Sequence, residues 1–291
     1  MSKYSRNTFK TLQENRLAPK KRFGQNFLVH QQTADSIVRA CKLDKEETVV
    51  EVGVGLGALT IPLAQKAKKI IGYEIDSGIV RYHEENADFP ENVTLIHQDI
   101  LKADFKELSI RCGGKIRLVA NLPYSISNPF IFALIENVRF VSKATIMLQK
   151  EVADRLTAEP GSKSYGIPTV LLGRCANVTR LLTLKPSQFH PRPKVDSVVV
   201  DITFIDEADQ TEKYNIALFT RVVRTTFNQR RKTIINTLNK ANLFGNHQAN
   251  AREKILFAIN KAGLQPELRP ETLSVLDFVR LTIELTEVLE A

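Results

Sequence analysis

An amide, an apolar residue, a proline and an aromatic residue follow one another at Asn121-Leu122-Pro123-Tyr124, directly after an apolar run. An exocyclic amine on a purine is a poor nucleophile because its lone pair is delocalised into the ring, and its two hydrogens need acceptors. The side-chain oxygen of Asn121 can accept one hydrogen. The carbonyl of Leu122 can accept the other, because Pro123 biases the residue before it towards an extended conformation. Tyr124 offers a face on which an extruded base can stack. The segment predicts chemistry on such an amine, unless it is only a turn with an asparagine cap.

A glycine-rich segment, EVGVGLG, follows an earlier strand-like run and places glycines at positions 53, 55 and 57. Glycines allow a tight turn and let the backbone approach a ligand closely, and the helix that follows presents free N–H groups. The spacing suits a dinucleotide and S-adenosylmethionine equally well. Glu74 ends the next strand-like run, where it can accept hydrogen bonds from the ribose hydroxyls that both cofactors carry. The alternative for Glu74 is a solvated acid at a strand end.

Asp99 follows the third strand-like run and is the first residue that separates the two cofactors. A carboxylate there, or its neighbours, suits an adenine amino group, whereas a hydride-transfer enzyme usually needs a proton donor. None of the five histidines stands out as that donor. Asp99 could equally be a helix N-cap, because a helical pattern starts directly after it.

Short β-rich runs alternate with helical patterns over the first two thirds of the chain, which predicts βαβ crossovers and a mostly parallel sheet. Ligands bind at the carboxyl ends of such strands, so the residues above should converge there. Two later runs, at 178–184 and 197–205, could close the sheet antiparallel. The predicted strands lie at 48–53, 69–75, 93–97, 116–121, 144–149, 178–184 and 197–205.

A polar linker at 206–210 precedes a region that is almost entirely helical in pattern, with predicted helices at 216–227, 231–240, 251–263 and 274–290. The pattern predicts two domains, a cofactor-binding catalytic domain over residues 1–205 with a basic N-terminal arm, and a helical RNA-binding domain over 206–291.

The composition is that of a soluble globular protein, with 291 residues and 43% hydrophobic content. No apolar run approaches the about 18 residues of a membrane span. The three cysteines lack any C-x-x-C pair and indicate neither a disulfide framework nor a metal site, so we expect a reducing cytoplasm. The net charge of +9 favours a polyanionic partner.

Two basic zones poor in acids strengthen that expectation. The first zone is Lys3, Arg6, Lys10, Arg16, Lys20, Lys21 and Arg22. The second is Lys213, Arg221, Arg224, Arg230, Arg231, Lys232, Lys240 and Arg252.

Together these motifs resemble the ribosomal RNA adenine N6,N6-dimethyltransferase family. The likeness is carried by KKRFGQNFL (20–28), EVGVGLG, YEID, HQDIL and NLPY, and it continues through MLQKEVADRL (147–156), KSYG (163–166), FHPRPKVDS (189–197) and FNQRRKTIINTL (227–238). It covers nearly the whole chain and implies a class I S-adenosylmethionine-dependent methyltransferase, α/β and Rossmann-like, with a small all-helical C-terminal domain.

The resemblance also implies roles for individual residues. Asn26 and Leu28 would line the methionine end of the cofactor site with Gln25 beside them. Gly53 and Gly55 would form the cofactor loop, Glu74 would bind the ribose and Asp99 the adenine. Asn121 to Tyr124 would be the catalytic segment, Tyr124 and Phe189 the surfaces for the target base, and Arg230, Arg231 and Lys232 contacts to RNA. For Phe189 the alternative is a core phenylalanine.

The activity implied is dimethylation of two adjacent adenosines near the 3′ end of small-subunit (16S) rRNA, within an immature small ribosomal subunit, by a monomer that needs no metal and binds no membrane. Leu122, the NQRRKT segment and the full helical extension favour this over a large-subunit (23S) rRNA methylase that confers antibiotic resistance. Val54 stands where proline is common in the family, a mild departure. Two functions of another class also stay open, a non-catalytic RNA-binding assembly factor and a nicotinamide-dependent oxidoreductase.

Overall fold

The computed structural model describes residues 8–14, 17, 19–20, 24–206, 214–241, 243 and 250–290. It divides into two compact units. Unit 1 is Met1–Ala153 with Asn177–Phe204, and unit 2 is Asp154–Ala176 with Ile205–Ala291. The predicted boundary after residue 205 lies one residue from the observed division. However, 154–176 belongs to the helical unit, which differs from the prediction that all of 1–205 forms one domain.

The strands of the described chain lie close to the predicted runs. They are β1 (Phe27–Leu28), β2 (Thr48–Val52), β3 (Lys69–Glu74), β4 (Val93–His97), β5 (Ile116–Asn121), β6 (Val141–Gln149), β7 (Ala176–Leu184), β8 (Phe189–His190) and β9 (Ser197–Phe204).

Seven of these strands form one sheet in the order β4-β3-β2-β5-β6-β9-β7. The pairs β3–β4, β2–β3, β2–β5 and β5–β6 are parallel, and β6 pairs with β9 antiparallel. The strand order reverses between β2 and β5, so the carboxyl ends of β2 and β5 border a crevice of the kind in which open α/β sheets bind ligands. This confirms the predicted α/β class and the mostly parallel sheet.

The central strands are apolar because helices cover both faces of a parallel sheet. Val49, Val50, Ile70, Ile116 and Leu118 are all fully buried. A separate two-stranded ladder pairs β1 with β8 antiparallel and brings Leu28 opposite Phe189.

Unit 1 contains the helices α1 (Thr8–Glu14), α2 (Gln31–Cys41), α3 (Thr60–Ala64), α4 (Ser77–Asn86), α5 (Phe105–Cys112), α6 (Ser127–Glu136) and the start of α7 (Lys150–Leu156). Aspartates cap two of them: Asp76 accepts from the N–H of Gly78 at α4, and Asp104 from the N–H groups of Lys106 and Glu107 at α5.

Unit 2 is helical, with α8 (Ile167–Gly173), α9 (Ile216–Asn228), α10 (Ile234–Asn239), α11 (Ala251–Lys261) and α12 (Val275–Glu290). The segment 154–176 belongs to unit 2 because a buried side chain of this segment hydrogen-bonds to and packs against other residues of the unit. Tyr165 is 2% exposed, its hydroxyl donates to the Leu273 carbonyl at 2.8 Å, and its ring lies 6.1 Å from that of Phe227.

The FNQRRKTIINTL segment spans the end of one helix and the start of the next. The helix α9 ends at Asn228 and α10 begins at Ile234, with a turn between them, close to the predicted helices at 216–227 and 231–240. Ile234, Ile235 and Leu238 are buried.

Candidate functional site

A cleft opens at the carboxyl ends of β2, β3, β4 and β5 in unit 1. It holds about 1010 Å³ of empty space, counting the part open to solvent, which suits a ligand of nucleoside size or larger. The predicted residues that line it are Gln25, Asn26, Leu28, Gly53, Gly55, Glu74, Asp99, Asn121 and Pro123. The structure therefore brings together residues that lie nearly 100 positions apart in the chain.

The glycine loop after β2 needs its glycines for conformation and for space. Gly53, Gly55 and Gly57 have φ of +78°, +53° and +81°, a region that side chains other than glycine rarely adopt. A Cβ on Gly53 would lie 3.0 Å from the backbone oxygen of Asn121. The cofactor loop and the predicted catalytic segment are thus in direct contact.

Glu74 is 5% exposed and organises the loops on either side of it. One carboxylate oxygen accepts from the N–H of Gly55 at 2.8 Å, and the other accepts from the N–H groups of Ile75 and Asp76, both at 2.9 Å. Burial raises the pKa of Glu74, although these backbone hydrogen bonds oppose the rise. Glu74 is therefore a buried, hydrogen-bonded residue of the cleft wall and not the solvated acid at a strand end that the sequence left open.

Asp99 is an N-cap, one of the two possibilities raised by the sequence, and it also lies at the cleft. Its side chain caps a short 3-10 turn by accepting from the N–H of Leu101 at 3.0 Å, and the residue also lines the cleft. One carboxylate oxygen is used in capping.

Gln25 and Asn26 are fixed by hydrogen bonds at the edge of the cleft. The Gln25 amide donates to Asp76 at 3.1 Å and accepts from the N–H of Lys20. Lys20 also pairs with the Asp76 carboxylate. Burial alone would raise the pKa of Asp76, but Lys20, the Gly78 N–H and Gln25 together hold it below its ordinary value.

The Asn121 side chain is held at the end of β5 with its amide nitrogen donating to the carbonyl of Asn26 at 3.3 Å. This orientation leaves its side-chain oxygen as an acceptor towards the cleft. Pro123 has φ −55° and ψ 133° and lines the cleft, whereas Leu122 is 2% exposed and is not among the residues that line it.

Tyr124 lies in the turn after β5 and is half-buried, and it is not among the residues that line the cleft. Its hydroxyl shares a 2.8 Å hydrogen bond with the Ser197 hydroxyl at the start of β9. Burial raises the pKa of the phenol, although the bond to Ser197 opposes the rise. The ring is thereby anchored at its polar end to the start of β9.

Phe189 does not offer the second aromatic surface that the resemblance implied. Its side chain is 2% exposed and belongs to the hydrophobic cluster that includes Leu28, Ile37 and Val199. Burying the apolar ring stabilises the fold relative to leaving it in water, and the pairing of β1 with β8 keeps Phe189 in the core. Phe189 is a core residue in this structure.

Glu51 is a cleft residue that the sequence motifs did not predict, and it stands within the otherwise apolar β2. It is 1% exposed, and neither carboxylate oxygen has a hydrogen-bond partner among the described residues. Burial, with a smaller contribution from Glu74, raises its pKa from 4.5 to about 8 against an opposing contribution from Thr60. The available signal was a charged residue in a strand that should be buried on both faces.

Three basic residues at the turn between α9 and α10 differ in whether they are used inside unit 2 or exposed to solvent. Arg230, which the resemblance implied as an RNA contact, pairs with Glu271 and donates to the carbonyls of Ser162 and Lys163 at 2.9 and 2.7 Å. Its guanidinium is therefore used inside unit 2. Arg231 and Lys232 are exposed.

Much of the N-terminal basic zone, namely Lys3, Arg6, Arg16, Lys21 and Arg22, lies outside the described residues, as does Lys213 of the second zone. Within the part of the chain that the structure describes, no helix is long and apolar enough to cross a membrane.

Comparisons with known proteins agree with this site. The family model "Ribosomal RNA adenine dimethylase" matches residues 16–277. A ribosomal RNA small subunit methyltransferase A of Desulfotalea psychrophila is 56% identical over 97% of this chain and 96% of its own. A crystal structure of a dimethyladenosine transferase from Plasmodium falciparum is 26% identical, covers 90% of this chain and 98% of its own, and superimposes with a TM-score of 0.75.

The crystal structure of the 23S rRNA methyltransferase ErmE is 23% identical with a TM-score of 0.67, which shows the shared fold alone. The family model spans most of the chain, and the Desulfotalea relative is matched along nearly its full length. This chain belongs to the ribosomal RNA adenine dimethylase family.

Proposed function

We propose that this protein transfers methyl groups from S-adenosylmethionine to the N6 amines of two adjacent adenosines near the 3′ end of small-subunit rRNA. The observation that carries the proposal is the meeting of Asn121, Glu74 and Asp99 in one cleft beside the glycine loop. The Desulfotalea relative, whose name specifies the small ribosomal subunit, supports this choice of RNA.

The residues of the cleft fit the cofactor. The glycine loop lets a ligand approach the backbone, Glu74 retains acceptor capacity for ribose hydroxyls, and Asp99 lines the wall suited to an amino group. Glu51 is a buried carboxyl with no partner among the described residues, which a cationic ligand group would satisfy. When bound, S-adenosylmethionine supplies an electrophilic methyl group on a positively charged sulfur.

The chain's own contribution to the reaction is to hold the amine. The Asn121 oxygen accepts one N6 hydrogen and the Leu122 carbonyl accepts the second, which directs the nitrogen lone pair away from the ring plane. The cofactor bound beside this amine would supply the methyl group, and the extra proton of the methylated amine would leave to solvent. Tyr124, anchored by Ser197, provides the face against which the base stacks.

Unit 2 contributes RNA contacts through Arg231 and Lys232, whose exposed charges suit phosphates. We further propose that the substrate is an immature small subunit, that the enzyme acts as a monomer, and that it works in the cytoplasm. A monomer is compatible with this substrate, because a ribosomal subunit is large enough to offer a single enzyme molecule its whole binding surface.

The test is transfer of labelled methyl groups to unmethylated small and large ribosomal subunits, followed by mapping of the modified bases. We expect label in two adjacent adenosines of the small-subunit rRNA. Label confined to the large subunit would assign the protein to the other branch of the family. RNA binding without transfer would make it an assembly factor.

A further inference from the structure

The peptide groups of Gly55 are held from both sides by side chains. Its N–H donates to Glu74 at 2.8 Å, and its carbonyl oxygen lies 2.7 Å from Nε2 of His83. Elsewhere the loop relies on backbone bonds: the N–H groups of Gly53 and Val54 donate to the Tyr73 carbonyl. The middle of the loop therefore depends on Glu74 and His83 for its orientation.

His83 lies on α4 and is 3% exposed. Its ring stacks on Phe89 with centroids 4.2 Å apart and meets Tyr82 edge-on at 5.0 Å. Nδ1 lies 2.9 Å from a carboxylate oxygen of Asp88. This packing fixes the ring plane, so Nε2 can point in one direction only.

Both partners of the ring are hydrogen-bond acceptors, since one is a carboxylate and the other a carbonyl. Asp88 orients the ring from its Nδ1 side, so that Nε2 faces the Gly55 carbonyl. The Asp88–His83–Gly55 chain is therefore a directional tether from α4 to the cofactor loop.

We propose that His83 is a positioning residue for the cofactor loop, acting through the Gly55 carbonyl. This rests on the cofactor site of the proposed function. His83 is not among the residues that line the cleft, so it exerts its effect without touching the cofactor. Without it, the peptide group that carries the Gly55 carbonyl is no longer held. Because glycine has the widest choice of φ and ψ, the neighbouring peptide group that carries the Gly55 N–H can then also shift away from Glu74.

The proposal separates cofactor binding from methyl transfer. Loss of the tether lowers the fraction of molecules whose loop is ready to bind, which weakens cofactor affinity and raises KM for it. Once the cofactor is saturating, the Asn121 segment is unaffected and kcat is retained.

The experiment compares His83→Phe, Asp88→Asn and a control, Asn92→Ala, with the wild type. Phenylalanine keeps an aromatic ring against Phe89 and removes both hydrogen bonds. Asn92 also bonds from a side chain to backbone carbonyls of unit 1, those of Ala64 and Ala67, but lies away from the cleft. Affinity for S-adenosylhomocysteine is measured by calorimetry, and melting temperature, KM and kcat are measured beside it.

We expect His83→Phe to weaken S-adenosylhomocysteine binding about tenfold, as loss of one hydrogen bond to the loop implies. KM for the methyl donor should rise in parallel, with kcat within twofold of the wild type. Asp88→Asn should weaken binding about threefold, because an acceptor oxygen remains to orient the His83 ring. Asn92→Ala should lower the melting temperature and leave the affinity unchanged.

A folded His83→Phe protein with wild-type affinity would overturn the inference, because the residue would then only fill the core. A fall in kcat at unchanged KM would overturn it too. If His83→Phe does not fold, Asp88→Asn decides: its side chain is 17% exposed and easier to replace, and an unchanged affinity refutes the tether. Failure of the wild type to bind S-adenosylhomocysteine would instead reject the cofactor assignment together with this proposal.

Discussion

Replacing Glu51 with glutamine should make the cofactor-free protein more stable at neutral pH. Glu51 is buried in β2 without a hydrogen-bond partner among the described residues, and burial raises its pKa from 4.5 to about 8. Between these two pH values the folded state holds a proton that the unfolded chain releases. Wild-type stability therefore falls as pH rises through this window. Glutamine has nearly the same shape and never ionises.

The expected size of the effect follows from the width of the window. Within this window, each pH unit lowers the free energy of unfolding of the wild type by about 1.4 kcal/mol. Between pH 4.5 and pH 7 the wild type therefore loses about 3 kcal/mol of stability. The free energies of unfolding of the variant and the wild type should differ least near pH 4.5 and diverge up to about pH 8. Above that pH the two curves should run parallel. The buried amide of glutamine has its own desolvation cost, which shifts the whole curve by a constant and leaves its slope.

Urea unfolding at half-unit steps from pH 5 to pH 8.5 measures this directly. Glu46→Gln is a matched control, because the Glu46 side chain is 82% exposed and its removal should leave the pH dependence unchanged. Cofactor binding supplies the complementary measurement: S-adenosylhomocysteine carries an ammonium group, so wild-type affinity should rise towards pH 8 while that of Glu51→Gln stays flat. A Glu51→Gln stability curve parallel to the wild-type curve would refute the reasoning, since Glu51 would then ionise normally in the fold.

Four further predictions concern the cleft and unit 2. Asn121→Ala should reduce kcat at least about a hundredfold while rRNA binding stays within twofold, because it removes an acceptor needed in the transition state; near-normal single-turnover rates would contradict that role. Gly53→Ala should cost about 1 kcal/mol or more in urea unfolding, since φ is +78° and the new Cβ would lie 3.0 Å from the Asn121 oxygen. Arg231→Ala combined with Lys232→Ala should weaken rRNA binding and reduce the slope of log K against log salt by about two. Arg230→Ala should mainly lower the melting temperature, because Glu271 loses its partner; a larger loss of salt slope for Arg230→Ala than for the double variant would return Arg230 to the RNA surface.

Periodicity and turn chemistry were sufficient to predict the parallel sheet, and they place 93–97 and 116–121 at the bounds observed for β4 and β5. The cleft residues followed from that sheet, because residues after parallel strands meet at one edge. Phe189 could not be assigned in the same way, since whether an aromatic ring is buried depends on the β1–β8 pairing of distant segments. The contacts of Arg230 could not be predicted for a related reason, because its partners Glu271, Ser162 and Lys163 are remote in sequence.

Glu51 shows a different limit. A local pattern marks it as an anomaly in a buried strand, but only the structure shows that it lines the cleft and that no described neighbour pairs with it.

The composition of unit 2 has a consequence for synthesis on the ribosome. Its first segment, 154–176, emerges well before the helices with which it packs. The hydroxyl of Tyr165 donates to the carbonyl of Leu273, which is synthesised 108 residues later. Until then Tyr165 lacks this hydrogen bond and its buried position. An unfinished chain thus carries this segment unburied between two strands of the sheet, β6 and β7. A premature stop before Leu273 should leave the Tyr165 hydroxyl without this partner, although every cleft residue has already been made.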